Sequence, residues 1–307
     1  AVLYLNVGTG SATTVGSVIA GDIDVVKCGS AQLTFSGSGA NIYTGTTYVN
    51  CGNLLISKSG SAVGVSGDLV VRDGASVEAR GSNPFGISSD VTVDNGYFKI
   101  TETNNWALGG KLTLNNSLVE IGRNTAASGV QLTGSGTGFA FNGGVVQFTT
   151  GTASTNGTLA ILTDVSYGTG SATQARFENV VTNGSKFRLA LNTGSDAAAA
   201  TRTFDIADSA TLAAGQAEMR VDAEIANGGS GTTTGALRKT GGGVLQLVGT
   251  NSYTGGTTVE AGTLQISTLN SAAQSSLSGV VSGSTVTFLQ PIAGSFVPGQ
   301  VLNFNGT

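Results

Sequence analysis

The stretch Leu237–Ser267, LRKTGGGVLQLVGTNSYTGGTTVEAGTLQIS, decides how this chain is read. Two short alternating runs, Leu245-Gln246-Leu247 and Leu264-Gln265-Ile266, flank a polar, glycine-rich segment from Gly249 to Gly262. Alternation of apolar and polar residues places Leu245, Leu247, Leu264 and Ile266 on one face of two extended strands. The segment is too short and too rich in Gly and Thr for a helix.

A second copy lies near the N-terminus. Asn41–Ser57, NIYTGTTYVNCGNLLIS, matches Asn251–Ser267, NSYTGGTTVEAGTLQIS, without a gap. Asn41, Tyr43, Thr44, Gly45, Thr47, Val49, Gly52, Leu54, Ile56 and Ser57 all meet identical partners. Upstream, Lys27, Leu33 and Phe35 align with Lys239, Leu245 and Leu247 after a two-residue insertion around Ser38-Gly39. Internal similarity of this kind marks a repeat architecture.

The pattern resembles the autotransporter-associated β-strand repeat of passenger regions in Gram-negative surface proteins, over Val25–Ser57 and Leu237–Ser267. The resemblance implies a right-handed parallel β-helix, or β-solenoid, that is exported, and it implies no catalytic residues. A full autotransporter also ends in a translocator barrel; the expectation here is a chain without one.

Between the two blocks the chain reads as short strands joined by turn residues. Asp68–Val71 and Ser76–Ala79 flank Asp73-Gly74, Val91–Val93 and Tyr97–Ile100 flank Asn95-Gly96, and Lys111–Leu114 and Leu118–Ile121 flank Asn115-Asn116. Such dipeptides supply the positive φ of tight corners. Alone they favour hairpins; with the repeats on either side they read as corners within stacked rungs. At roughly 20–24 residues per rung the chain makes about 13 or 14 rungs, a rod of about 60–65 Å at ~4.8 Å per strand. The expected fold is all-β: a right-handed parallel β-solenoid over residues 1–267 and a short β-rich tail or cap over 268–307. The tail carries two strong β-runs, Val286–Leu289 and Val301–Phe304, with Pro291 and Pro298 between them. An open sheet edge invites another chain, so Val286, Phe288, Val301 and Phe304 are the candidates for contact between subunits.

Composition narrows the function. Among 307 residues there are 48 Gly but 3 Pro, which excludes collagen. Charged residues are 10% of the chain and the net charge is −4, so the basic stripe that nucleic acid requires is missing. No run of about 20 apolar residues is present to cross a membrane as a helix. Ala1 at the start is consistent with a mature form freed of a signal peptide.

There is no His, which removes Ser-His-Asp and Cys-His machinery and the commonest transition-metal ligand. Carboxylate chemistry of the glycoside-cleaving kind would fall to Asp205, Asp208, Asp222 and Glu224; the competing reading is solvated positions at strand ends. The glycine runs match no phosphate-binding motif, and no calcium nonapeptide is present. No catalytic, cofactor or metal site is therefore expected. Cys28 and Cys51 are the only cysteines. One rung apart, and with a bulge to absorb the two-residue difference, they come within disulfide range; the alternative is two buried free thiols. Trp106 reads as a corner plug or as a sugar-stacking platform, and Tyr43 and Tyr253 as packing residues because they recur.

The expected function is a non-enzymatic extracellular structural protein from a Gram-negative-type bacterium, self-associating into a homopolymer as a surface fibre or filament. The alternative is an adhesin passenger fragment with a glycan or host-surface ligand, and behind it a glycan-active β-helix enzyme.

Overall fold

The computed structural model describes residues 1–266, apart from 82–83, 87, 103–105, 124–128, 133–137, 151–156, 181–186, 193–198, 214 and 229–233, together with 279–282 and 285–288. The chain is all-β and dominated by one large, strongly curled parallel sheet. Each strand pairs with its counterpart one pass earlier and one pass later, so every pass of the chain returns to the same ladders.

Among the described residues the front ladder has eleven strands, from Val2–Asn6 through Asp24–Cys28, Thr47–Val49, Leu69–Arg72 and Val91–Asp94 to Thr257–Val259, all parallel. The back ladder also has eleven, from Thr13–Val15 through Leu33–Phe35 and Asn53–Ile56 to Thr263–Ile266. Two twelve-residue strands, Leu112–Arg123 and Phe139–Thr150, run through both ladders and join them into one sheet. Among the described residues a third ladder of five strands, from Trp106–Leu108 to Glu224–Ala226, occupies the middle passes, and Ala20–Gly21 pairs with Ile42–Tyr43 in an earlier one.

The core follows from period-two alternation under this register. On the back ladder Leu33, Leu54, Val77, Phe98, Val119, Val146, Phe177, Val221, Leu247 and Ile266 lie one above another, and all are buried. Val25, Thr47, Leu69, Val91, Leu112, Phe139, Val165 and Phe204 form the matching front row. Like sits on like, so each pass covers the apolar inside of the one before. In the middle the rows turn aromatic. Phe139 and Phe141 stack at 5.3 Å, and Phe177 meets both edge-on.

The Asp-Gly and Asn-Gly turns are corners between ladders. Leu69–Arg72 pairs with the strands above and below it, and Ser76–Ala79, across the turn, pairs in the other ladder. Asp73, Asn95 and Asn116 have φ of 58°, 47° and 46°, and they are the positive-φ non-glycine residues of the described chain. Arg72, Asp94 and Asn115 just before them are register partners, so the three left-handed residues stack at one corner. Asx side chains tolerate that conformation.

The passes are fewer and less even than the sequence suggests. Front-ladder register advances by 22 residues from Val25 to Thr47 and from Leu69 to Val91, but by 27 from Leu112 to Phe139 and 39 from Val165 to Phe204. Eleven strands at ~4.8 Å give a stack of about 50 Å. After Thr263–Ile266 the direction changes: Gly279–Ser282 pairs with it antiparallel, and Thr285–Phe288 pairs antiparallel with that strand.

Candidate functional site

Two places concentrate polar chemistry: the corner that recurs in the two sequence repeats, and a charged row on the outer face of the back ladder.

In each repeat a lysine points into the core. Lys27 and Lys239 are both 0% exposed. Lys27 Nζ donates to the carbonyls of Gly29 and, at 2.9 Å, Cys51 one pass later. Lys239 Nζ donates to Thr240 O at 2.5 Å, Gly241 O at 2.7 Å and Ala261 O at 3.1 Å, again spanning two passes. A corner turns backbone carbonyls inward, where water does not reach, and the ammonium satisfies them. Burial pushes Lys239 down to about 8, with the charges of Asp205 and Glu218 pulling the other way. Burial lowers Lys27 too, against the pull of Cys51 and Cys28. Gly52 and Gly262 close the two corners at φ +69°. A Cβ on Gly52 would lie 2.5 Å from Gly29 O, and one on Gly262 2.4 Å from Gly241 O.

The other identities of the repeat have similar causes. Asn41 accepts from Ile19 N at 3.0 Å and donates to Gly64 O at 2.6 Å, tying three passes; Asn251 accepts from Ile225 N at 3.1 Å. The hydroxyls of Tyr43 and Thr47 bond each other, as do those of Tyr253 and Thr257. Burial pushes both phenols up to about 12, the threonine bonds opposing it.

The outer row lies on consecutive back strands. Register sets Glu78 beside Lys99 and Lys99 beside Glu120. Arg80 holds Glu78 at 2.8 Å, and Lys99 holds Glu120 at 2.7 Å. Tyr97 and Thr149 also donate to Glu120, each at 2.7 Å. Burial pushes both carboxyls up, but the hydrogen bonds of Arg80 and Thr101 with the charges of Arg80 and Lys99 around Glu78, and the hydrogen bonds of Lys99, Tyr97 and Thr149 with the charge of Lys99 around Glu120, outweigh it and hold both below the ordinary value. Further along, Arg176 pairs with Glu178 at 2.6 Å, and Arg220 with Asp222 at 2.8 Å. Glu78 and Glu120 are thus carboxylates tied to cations and lowered, the opposite of the raised carboxyl that a general acid needs. The sequence carried a faint sign of this row in the spacing Glu78-Ala79-Arg80, Arg176-Phe177-Glu178 and Arg220-Val221-Asp222; the partners 21 to 44 residues away were not visible.

The four carboxylates singled out from sequence are not brought together. Asp205 is on the front ladder and accepts from Thr240 Oγ1 at 2.9 Å. Asp208 is exposed in the turn beyond it. Asp222 follows a back-ladder strand, paired to Arg220, and Glu224 is on the third ladder, 3.3 Å from Arg188 and accepting from Ser252 at 2.6 Å. Among the described residues no cluster of three metal-ligating side chains occurs. An open groove of about 580 Å³ runs along the corner lined by Asp94, Asn95, Asn115, Asn116, Asn142 and Thr173. Its amides bond one another between passes: Asn116 donates to Asn95 at 3.1 Å and Asn142 to Asn115 at 2.9 Å.

The expected disulfide does not form: Cys28 and Cys51 are both free thiols. Register gives the reason. Lys27 pairs with Val49, so Cys28 falls opposite Asn50, and Cys51 lies one residue further along the chain. Cys51 sits in the corner beyond the strand Thr47–Val49 and so is not a register partner of Cys28. Cys28 is half-buried and Cys51 exposed, so neither is the buried thiol of the alternative reading. Trp106 lies in the first strand of the third ladder; its side chain is outside the described part, and so is the choice between plug and platform. Val286 and Phe288 lie in the strand Thr285–Phe288, while Val301 and Phe304 are outside the described residues.

The passenger-associated-transport-repeat family matches the chain at residues 25–56 and 237–266, the two blocks that hold the lysine corners. Repeats of this family occur in exported autotransporter-type surface proteins. No curated protein and no solved structure matches the chain.

Proposed function

We propose that this chain is a non-enzymatic structural protein, exported from a Gram-negative-type bacterium to its surface, where it forms a stiff right-handed parallel β-solenoid rod and associates with itself through its ends and its C-terminal tail. The observation that carries the reading is the pair of parallel ladders that continue through eleven passes over one core. Backbone groups spent on ladders leave a rod stiff and resistant to proteases, as a spacer or fibre requires. The repeat match supports export. The polar chemistry of the chain serves the same end: buried lysines hold corners, and the carboxylates of the outer row are held by cations.

Electron microscopy of the exported chain, with limited proteolysis, tests this. Protease-resistant rods with a unit of about 50 Å support it; compact particles or rapid digestion would sink it. One observation favours a second reading, that of an adhesin: the groove at Asn95 and Asn116 is open and lined by amides and hydroxyls suited to sugars. Glycan-array binding that disappears in Asn116→Ala would move the conclusion to that reading. Hydrolysis of a polysaccharide that is lost in Asp205→Asn or Asp222→Asn would move it to an enzyme.

A further inference from the structure

The two ends of the back ladder are open in a matched way. At the N-terminal end Thr13–Val15 pairs, among the described strands, only with Leu33–Phe35. Thr13 N donates to Gln32 O at 2.9 Å, and Ser36 N to Val15 O at 3.0 Å. Both bonds lie on the inner side, and in a strand the backbone groups of successive residues point to opposite edges. The N–H and C=O of Thr14 therefore face outward, away from the stack. The side chains of this first pass are under-covered too: Leu3, Leu5 and Val15 are only partly buried, whereas Val25, Leu33 and Phe35 one pass on are fully buried.

At the other end the chain reverses twice. Gly279–Ser282 is antiparallel to Thr263–Ile266, and Thr285–Phe288 is antiparallel to Gly279–Ser282. Two reversals restore the original direction, so Thr285–Phe288 runs the same way as every back-ladder strand, Thr13–Val15 included. Its outer edge has no partner among the described strands.

We infer that Thr285–Phe288 of one copy adds to the outer edge of Thr13–Val15 of the next, continuing the back ladder in parallel across the junction. The occupant is a second copy of this chain, because it alone brings a strand of the right direction on the same ladder, together with the core rows that Val15, Leu3 and Leu5 leave uncovered. Strand addition supplies backbone hydrogen bonds, and burial of those rows supplies the apolar contribution. The contact joins different surfaces of two copies, so it repeats without closing and builds a filament. This rests on the structural reading above and names its contact.

Sedimentation and electron microscopy of the full chain at increasing concentration test it. Wild-type chain should polymerise. Thr14→Pro removes one outward donor and no inner one, so it should keep protease resistance and lose the polymer. Added in small amounts to wild type, it should shorten filaments, since its tail still adds but its first strand accepts nothing. Tyr4→Pro, on the front ladder, should leave polymerisation intact. A chain lacking 279–307 should be monomeric, which covers the case in which Thr14→Pro fails to fold. Filaments unaffected by Thr14→Pro or by the truncation would overturn the contact. A protease-resistant rod that stays monomeric would also overturn it, while leaving the rod and its export standing.

Discussion

The first half of the stack and the second are built on the same core rows with different chain lengths. From Val2 to Arg123 each pass takes about 21 or 22 residues on the front ladder, and pairing on the third side is brief: Ala20–Gly21 with Ile42–Tyr43, a bridge between Val65 and Phe85, and the start of the third ladder at Trp106–Leu108. From Phe139 to Thr240 a pass takes 26 to 39 residues on the front ladder, and the third ladder accommodates part of the extra chain. Yet Phe177 stacks on Val146 and under Val221 just as Leu54 stacks on Leu33 and under Val77. The constraint is register on the inward rows, and length between them is free. Loop closure explains the tolerance, since doubling a connection costs only about 0.6 kcal/mol.

Truncating one core residue in each half probes that equivalence most strongly. Phe177→Ala removes a ring packed on Phe139 and Phe141 and should cost about 3–5 kcal/mol; Leu54→Ala should cost about 2–5. Denaturant unfolding measures both. A much smaller loss at Phe177 would show that the long passes are not held by the same core. Next come the corners. Gly262→Ala sets a Cβ against Gly241 O at a positive φ and should destabilise by more than about 1 kcal/mol, whereas Gly74→Ala, at φ +79° with open space around it, meets only the conformational cost of about 1 kcal/mol.

The pH dependence tests the repeat corners themselves. Lys239 is lowered to about 8 in the folded chain, against about 10.4 when unfolded. Between those values the unfolded chain binds more protons, so stability should rise with pH, by at most about 1.4 kcal/mol per unit. The phenols of Tyr43 and Tyr253 are raised to about 12, so above pH about 10 the folded chain binds more protons and stability should fall. A maximum near pH 10 is expected, and Lys239→Met should flatten the rising limb, leaving the part that the lowered Lys27 contributes. A flat profile would show that the ammonium is not confined as described. The smallest effect belongs to the outer row. Arg80→Ala breaks a half-exposed pair with Glu78 and should cost about 0–1 kcal/mol, less in high salt.

The stacked parallel strands were legible because two blocks with ten identical positions mark a repeat and show which residues face in. Asp73, Asn95 and Asn116 were legible as corners because positive φ restricts residue type. Pass number was not, because connection length has little effect on stability and so follows no pattern in the residues. The cysteines were misjudged for the opposite reason: a single residue of register matters, and the alignment that placed Leu33 and Leu54 correctly left Cys28 at the end of a strand and Cys51 one position on, in the corner. Lys27 and Lys239 were visible as an identity, but a lysine within a β-run reads as a surface residue until the inward carbonyls of Cys51 and Ala261 are known. The pairing of Glu78 with Lys99 crosses a whole pass and follows from register alone.

Stacking also determines how the protein yields under load. Hydrogen bonds between passes lie along the long axis, so tension applied to the ends would open them one ladder step at a time from whichever end is looser. Each released pass lengthens the tether by its own contour, roughly 70 Å for 22 residues and roughly 130 Å for 39, at about 3.4 Å per residue. A single molecule stretched by its termini would extend in small equal increments through one half and in wide, uneven ones through the other.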